Sequence, residues 1–285
     1  MLHPRNQGGW IYGIQVDRFS YETESAEKIF ADNFCNPHNG PDSEDGADYD
    51  PEKDKTNFPS YKENVFYYTY DNVAIVVLNS DYWYAPSLKH QAFSDGNLHG
   101  YLMDMQIAWL EQTLKKLEDD PNIDHVFVTQ HTPTFPNGGH VKDDMWYNGN
   151  NEPRAHVAGK GLKKGIIERR DEYLNLLVNE SSKVRAILTG DEHNYARLPV
   201  NDDLPRYPEN YKPSNVTMKL EIMQINNGAA GAPYYAQEET PWSDQVQYFS
   251  TENALVLIDV EGEKITVRVI NPDTLSLFDE FVLVE

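Results

Sequence analysis

Apolar positions change their period several times along this chain, and each change marks an element. Val184 to Leu188 is a run rich in β-branched and aliphatic residues that stops at Gly190, which predicts a buried strand. His125 to Gln130 is a second short apolar run, ending in His131-Thr132-Pro133. Between them, Ile166, Ile167, Tyr173, Leu174, Leu177 and Val178 recur at helical spacing within 165–179. Strand, helix, strand is the order of a parallel crossover, which sets both strand ends on one edge of one sheet.

Other segments fill in the frame. Val65–Tyr70 and Val73–Leu78, separated by Asp71-Asn72, predict a hairpin. Ile107, Leu110, Leu114 and Leu117 form one stripe of a helix over 102–117, and a shorter helix is predicted over 25–34 with Ser25 or Thr23 as its cap. Tyr82, Trp83 and Tyr84 read as packing at a strand exit. The tail returns to strands at 220–225, 254–260, 264–270 and 278–284, the middle pair joined through Glu261-Gly262-Glu263. Residues 1–24 have no clear period, and 198–216 reads as a Pro- and Asn-rich excursion. The expected fold is α/β: a mixed sheet with the 126 and 184 strands parallel and adjacent or nearly so, and a more antiparallel C-terminal sheet packed on it.

At 285 residues with 39% hydrophobic content, a single globular domain over 1–285 is expected, with an irregular acidic region at 1–63 and the patterned region at 64–285. The formal charge of -22 disfavours binding to a nucleic-acid backbone. It leaves a phosphorylated substrate open, since bound cations invert a local field. Cys35 is the only cysteine, so no disulfide framework and no thiolate zinc site is expected. No apolar run approaches the roughly 18 residues of a membrane span, and the first residues carry no signal-peptide pattern. Compartment and oligomeric state stay open. The acids between Asp42 and Asp54 read as a solvated loop rather than a calcium site, because the EF-hand spacing is not met.

Chemistry concentrates at the two strand ends. Gly190 is followed by Asp191, Glu192 and His193, and the other run delivers His131, so three metal-competent side chains, His131, Asp191 and His193, are expected at one sheet edge. Glu192 is expected to point away from them. The long Gly- and Asn-rich connection after His131 has the character of a functional loop. His3, His38, His90, His99, His125 and His156 are read as ordinary hydrogen-bonded or surface histidines.

Val128-Thr129-Gln130-His131 with Pro133, and Gly190-Asp191-Glu192-His193-Asn194-Tyr195-Ala196-Arg197, resemble the last two metal motifs of the calcineurin-like metallophosphoesterases, in particular the purple-acid-phosphatase-like branch. That pattern is V-x-x-H followed by G-H-x-H-x-Y-x-R. The resemblance runs from Asn64 to the C-terminus and implies an αββα sandwich holding two divalent or trivalent ions (Mn, Fe or Zn), with a bridging hydroxide attacking phosphorus in line. It implies His131 and Asp191 on one metal, His193 on the other, His140 protonating the leaving ester, and Asn137, Tyr195 and Arg197 touching substrate, a phosphorylated small molecule or macromolecule. Asp191 replaces the first histidine of G-H-x-H, which a hard or borderline cation tolerates.

Three earlier motifs of that family, Asp-x-His/Asp-x-Gly, Gly-Asp and Gly-Asn-His-Glu/Asp, have no counterpart here, and neither Asp17 nor Asp81 has their flanking pattern. The expectation is therefore the C-terminal part of a phosphoesterase domain lacking its N-terminal strands, inactive or nearly so as an isolated chain. The alternative is a noncatalytic binding protein of the same fold. Family members are often secreted or periplasmic. No Gly-x-Ser-x-Gly elbow supports a serine hydrolase.

Overall fold

The computed structural model describes residues 10–11, 14–15, 25–84, 96–213 and 215–285. His3 and His90 lie outside them. Trp10–Ile11 (β1) and Ile14–Gln15 (β2) pair antiparallel. Helix α1, Ala26–Asn33, starts at Ser25, whose hydroxyl accepts the Lys28 amide at 3.0 Å, so the cap predicted from sequence is made. Phe66–Tyr70 (β3) and Val73–Val77 (β4) form the expected hairpin, with Asp71 in the left-handed region at φ 52°. Helix α2 spans Asp104–Asp119 and leads to β5, His125–Thr129. A two-residue pair, His156–Val157 (β6) and Lys160–Gly161 (β7), precedes α3, Ile166–Asn179.

The remaining strands are β8 (Val184–Thr189), β9 (Tyr195–Val200), β10 (Ile222–Asn227), β11 (Tyr248–Ser250), β12 (Leu255–Glu261), β13 (Lys264–Ile270) and β14 (Leu277–Val284). Seven form one mixed sheet in the order β11-β9-β10-β8-β5-β4-β3. In it β4, β5, β8 and β10 run parallel, and β5 and β8 are direct neighbours. Strands β12, β13 and β14 form a separate antiparallel sheet. The fold is α/β, as the strand-helix-strand order requires.

Alternation along the strands separates the layers. Ala74, Val76, Val126 and Val128 face the helix side, where Leu110, Leu114 and Leu117 of α2 and Leu174 and Leu177 of α3 complete a core. Phe127, Ala186, Met223 and Ile225 point the other way, onto Ile265, Val267 and Val269 of the three-stranded sheet. In β8 the helix-facing residues are Val184 and Ile187, three apart rather than two. The ladder explains this: Val126 pairs with Val184 and Phe127 with Ala186, so Arg185 is the extra residue of a bulge.

Two segments depart from expectation. Leu198–Val200 belongs to β9, not to the following excursion. Pro199 is tolerated because β11 pairs only with Tyr195–Arg197, leaving one side of β9 without a ladder partner at Pro199.

The second departure is in part of the acidic loop: Asp42, Asp48, Glu52 and Asp54 are exposed as expected, but Glu44, Asp45 and Asp50 turn inward. Asp45 Oδ1 accepts the amides of Asn57 and Phe58, and Asp50 accepts those of Gly46 and Glu52. Glu44 is fully buried and takes both Tyr49 and Tyr61 hydroxyls together with the Met105 and Gln106 amides. It acts as a cap for the first turn of α2, delivered from some sixty residues away in the chain.

Burial pushes the Glu44 carboxyl up to about 7, against the lowering pull of its four donors. A carboxyl raised in the folded state contributes stability that is complete below its unfolded value and is lost as pH rises through the folded one. Wild-type stability is therefore expected to drop by up to about 3 kcal/mol on this account between about pH 4.5 and pH 7. Glu44→Gln should flatten that slope in urea unfolding at about pH 5 and pH 8. Equal slopes in the two proteins would exclude Glu44 as its source.

Candidate metal centre

Parallel strands bring their C-terminal ends to one edge, and three of them deliver titratable side chains there: Asp81 just beyond β4, His131 beyond β5 and Asp191 beyond β8. The His131 carbonyl accepts both the Gly190 and the Asp191 amides at 3.0 Å, which fixes the last two ends together. His131 Nε2 then lies 2.8 Å from Asp191 Oδ1. His131 and Asp191 are thus brought together, although His131 is not one of the four donors grouped below.

Two loops complete the group. Residues 96–100 bring His99, and residues 137–146 bring His140, Asp143 and Asp144. His99 Nε2 is 2.6 Å from Asp191 Oδ2 and 3.0 Å from Asp144 Oδ1, while its Nδ1 is 2.5 Å from Asp81 Oδ1. His140 Nδ1 lies 3.1 Å from Asp143 Oδ1 and 3.5 Å from Asp191 Oδ2. Gly100 permits this closeness: it sits at φ +80°, and a Cβ there would come within 2.6 Å of the Asp144 carbonyl oxygen.

One ligand atom from each of His99, His140, Asp144 and Asp191 lies within 4.8 Å of the others, a set able to hold a metal ion. Two observations support the fit. Asp144 is fully buried, its Oδ1 meets only the His99 ring at 3.0 Å, and no hydrogen bond reaches its Oδ2. The second is that three carboxylates, Asp81, Asp144 and Asp191, face the His99 ring. Burial pulls His99 down, yet the Asp144, Asp191 and Asp81 carboxylates outweigh it and hold the ring well above the ordinary histidine value. Burial alone would raise Asp191; His131 and His99 hold it well below the carboxylate range. Asp144, more deeply buried, is pushed up by that burial, with smaller contributions from Asp191 and Glu192, against the lowering pull of His99.

The other residues singled out in the sequence fall elsewhere. His193 is at the same edge but outside the four-donor group: its ring stacks on Tyr235 at 4.3 Å and 8°, and Nδ1 hydrogen-bonds the Pro233 carbonyl at 2.7 Å. The Tyr235 ring also meets His140 edge-on at 5.6 Å. Asn137 is buried, and its amide, with that of Gly138, donates to the Glu192 carboxylate. Glu192 therefore turns into the loop that carries His140. Tyr195 and Arg197 are not brought to the group; both bond Asp279 Oδ2 at 2.7 Å, between the two sheets.

Sequence reasoning passed over His99, Asp81 and Asp144. Asp81 had a usable signal, because Asn79-Ser80-Asp81 follows a strand just as His131 and Asp191 do. His99 had none in its own neighbourhood. It is placed by contacts from Ser80, Trp83 and Tyr147, which are distant in sequence.

No family model matches the chain, and no curated protein matches its sequence. Among solved structures it is similar to the purple acid phosphatase PPD1 from yellow lupin (Lupinus luteus) seeds, at 12% identity and TM-score 0.47, over 86% of this chain and 39% of that one. It is similar to GAP50, described as the anchor in the inner membrane complex of Plasmodium, at 12% identity and TM-score 0.43, over 80% and 57% of the two chains. It is also similar to PhoD, at 13% identity and TM-score 0.43, over 78% and 42%. The chain thus spans between 39% and 57% of the length of these structures. No helix among the described residues is long and apolar enough to cross a membrane.

Proposed function

We propose that the chain is a metal-dependent phosphoesterase, or the part of one that carries a metal, acting on phosphate esters. The observation that supports this is the convergence of His99, His140, Asp144 and Asp191 at the loop-bearing edge of parallel strands. The ester class comes from the resemblance of residues 128–133 and 190–197 to metallophosphoesterase motifs. Two imidazoles and two carboxylates suit manganese, iron or zinc. A divalent ion held there supplies neutralisation of phosphoryl charge and activation of water.

The chain's own residues divide the remaining work. Asp191 receives His99 and His131 on its two oxygens and so fixes the angle between them. His131, with 54% of its side chain exposed, stands on the solvent side, where it can pass a proton to a departing alkoxide. His193 has Nδ1 engaged by Pro233, which leaves Nε2 as the free donor for a second ion. A second reading, a noncatalytic binding protein, is favoured by the place of that same histidine, stacked on Tyr235 and apart from the four donors.

Calorimetric titration of manganese or zinc into the 285-residue chain is expected to show one strong site. The loaded chain should cleave an activated aryl phosphate slowly, since one ion neutralises less transition-state charge than two. His99→Ala should remove both properties. Metal binding with no turnover in any metal would select the binding-protein reading, and absence of metal binding would exclude the phosphoesterase reading.

A further inference from the structure

We infer that Asp81 is a positioning residue for the metal centre: it holds His99 by Nδ1, so that Nε2 is the atom offered to the ion. The inference rests on the reading that this group binds a metal. The two nitrogens of His99 face carboxylates of different standing. Nε2 is turned to Asp144 and Asp191, which converge with His140; Nδ1 is turned to Asp81, which stands behind the ring and outside that group. An imidazole that binds a cation through one nitrogen must keep its proton on the other. A carboxylate at that proton fixes the tautomer, sets the ring plane and strengthens the ring as a donor.

The contact is made by the backbone before any ion arrives. The Gly100 amide donates to the Ser80 carbonyl at 3.1 Å and the Asn97 amide to the Trp83 carbonyl at 2.8 Å, so residues 97–100 are stapled to 80–83 on both sides of the Asp81–His99 pair. Asn97 Nδ2 adds a bond to the Tyr82 carbonyl at 2.9 Å. Within its own turn, Asp81 donates its amide to Asn79 Oδ1 at 3.0 Å. The His99 carbonyl is held in turn by the Tyr147 hydroxyl at 3.2 Å. All of these partners are protein groups, and together they leave the imidazole little freedom except rotation about its own side-chain bonds. Asp81 removes that remaining freedom.

The test uses cobalt(II) with the full chain, read by competition titration and by the visible absorption of the bound ion. Asp81→Asn should bind the ion about ten- to a hundredfold more weakly than wild type, at unchanged stoichiometry and with a shifted spectrum. Asp81→Glu should recover part of the affinity. A failure of wild type to bind cobalt would reject the metal reading itself. Wild-type binding with an Asp81→Asn variant of equal affinity and identical spectrum would overturn this inference alone. Should Asp81→Asn fail to fold, imidazole nitrogen shifts of the wild-type zinc form decide: a protonated Nδ1 and a metallated Nε2 on His99 are expected, and zinc on Nδ1 would refute the assignment.

Discussion

Asp191→Ala is expected to weaken metal binding by more than about a hundredfold, beyond the ten- to hundredfold that loss of an orienting partner costs. The reason is its number of partners. One carboxylate oxygen meets His131, and the other meets His99 with His140 close by. Removing it deletes a donor and frees the imidazoles it holds in place. Asp191→His separates two accounts of the site. The metallophosphoesterase resemblance puts a histidine at this position and implies that the variant keeps its function. The geometry says otherwise, because one imidazole cannot accept from His99 and His131 at once. Asp191→His is therefore expected to lose most of the affinity, measured by the same titration; wild-type affinity in that variant would favour the family's ligand scheme over the four-donor group.

The second large effect is on stability. Trp242→Ala is expected to cost about 3–5 kcal/mol in urea unfolding. The indole is fully buried and packs edge-to-face on Phe135 at 5.2 Å and on Trp146 at 4.8 Å. Its Nε1 donates to the Pro136 carbonyl at 3.0 Å. Those three residues bracket the loop that carries His140 and Asp144, so the same truncation should weaken metal binding although Trp242 touches no donor of the group. Trp242→Phe, which keeps a ring but loses the hydrogen bond, should cost clearly less. A Trp242→Ala loss below about 1 kcal/mol would mean that the loop is held by other contacts.

Why the strands were legible and part of the site was not follows from where each was encoded. Val184–Leu188, Val126–Val128 and the Asp71-Asn72 turn carry their structure locally, in side-chain alternation and turn chemistry, and the strand-helix-strand order then dictates parallel pairing. His131 and Asp191 were visible for the same reason, as residues that directly follow such runs. His99 and Asp144 sit in loops whose course is set by long-range contacts, among them Gly100 against the Asp144 backbone and Glu192 against the amides of Asn137 and Gly138. Composition misled in the acidic loop: a high density of Asp and Glu reads as solvated, yet Glu44, Asp45 and Asp50 each find backbone amides to accept. Tyr195 and Arg197 fit a motif in one dimension, while in three they serve the contact between sheets through Asp279.

The central claim is that His99, His140, Asp144 and Asp191 together hold a metal ion. Crystals of the chain grown with manganese or zinc, measured at wavelengths on both sides of the metal absorption edge, test it most directly. The account predicts an anomalous peak within coordination distance of all four side chains, with Asp81 behind His99 and outside the coordination sphere. A peak between His131 and His193 that omits His99 and Asp144, or one held by the Asp42 to Asp54 loop, would contradict it.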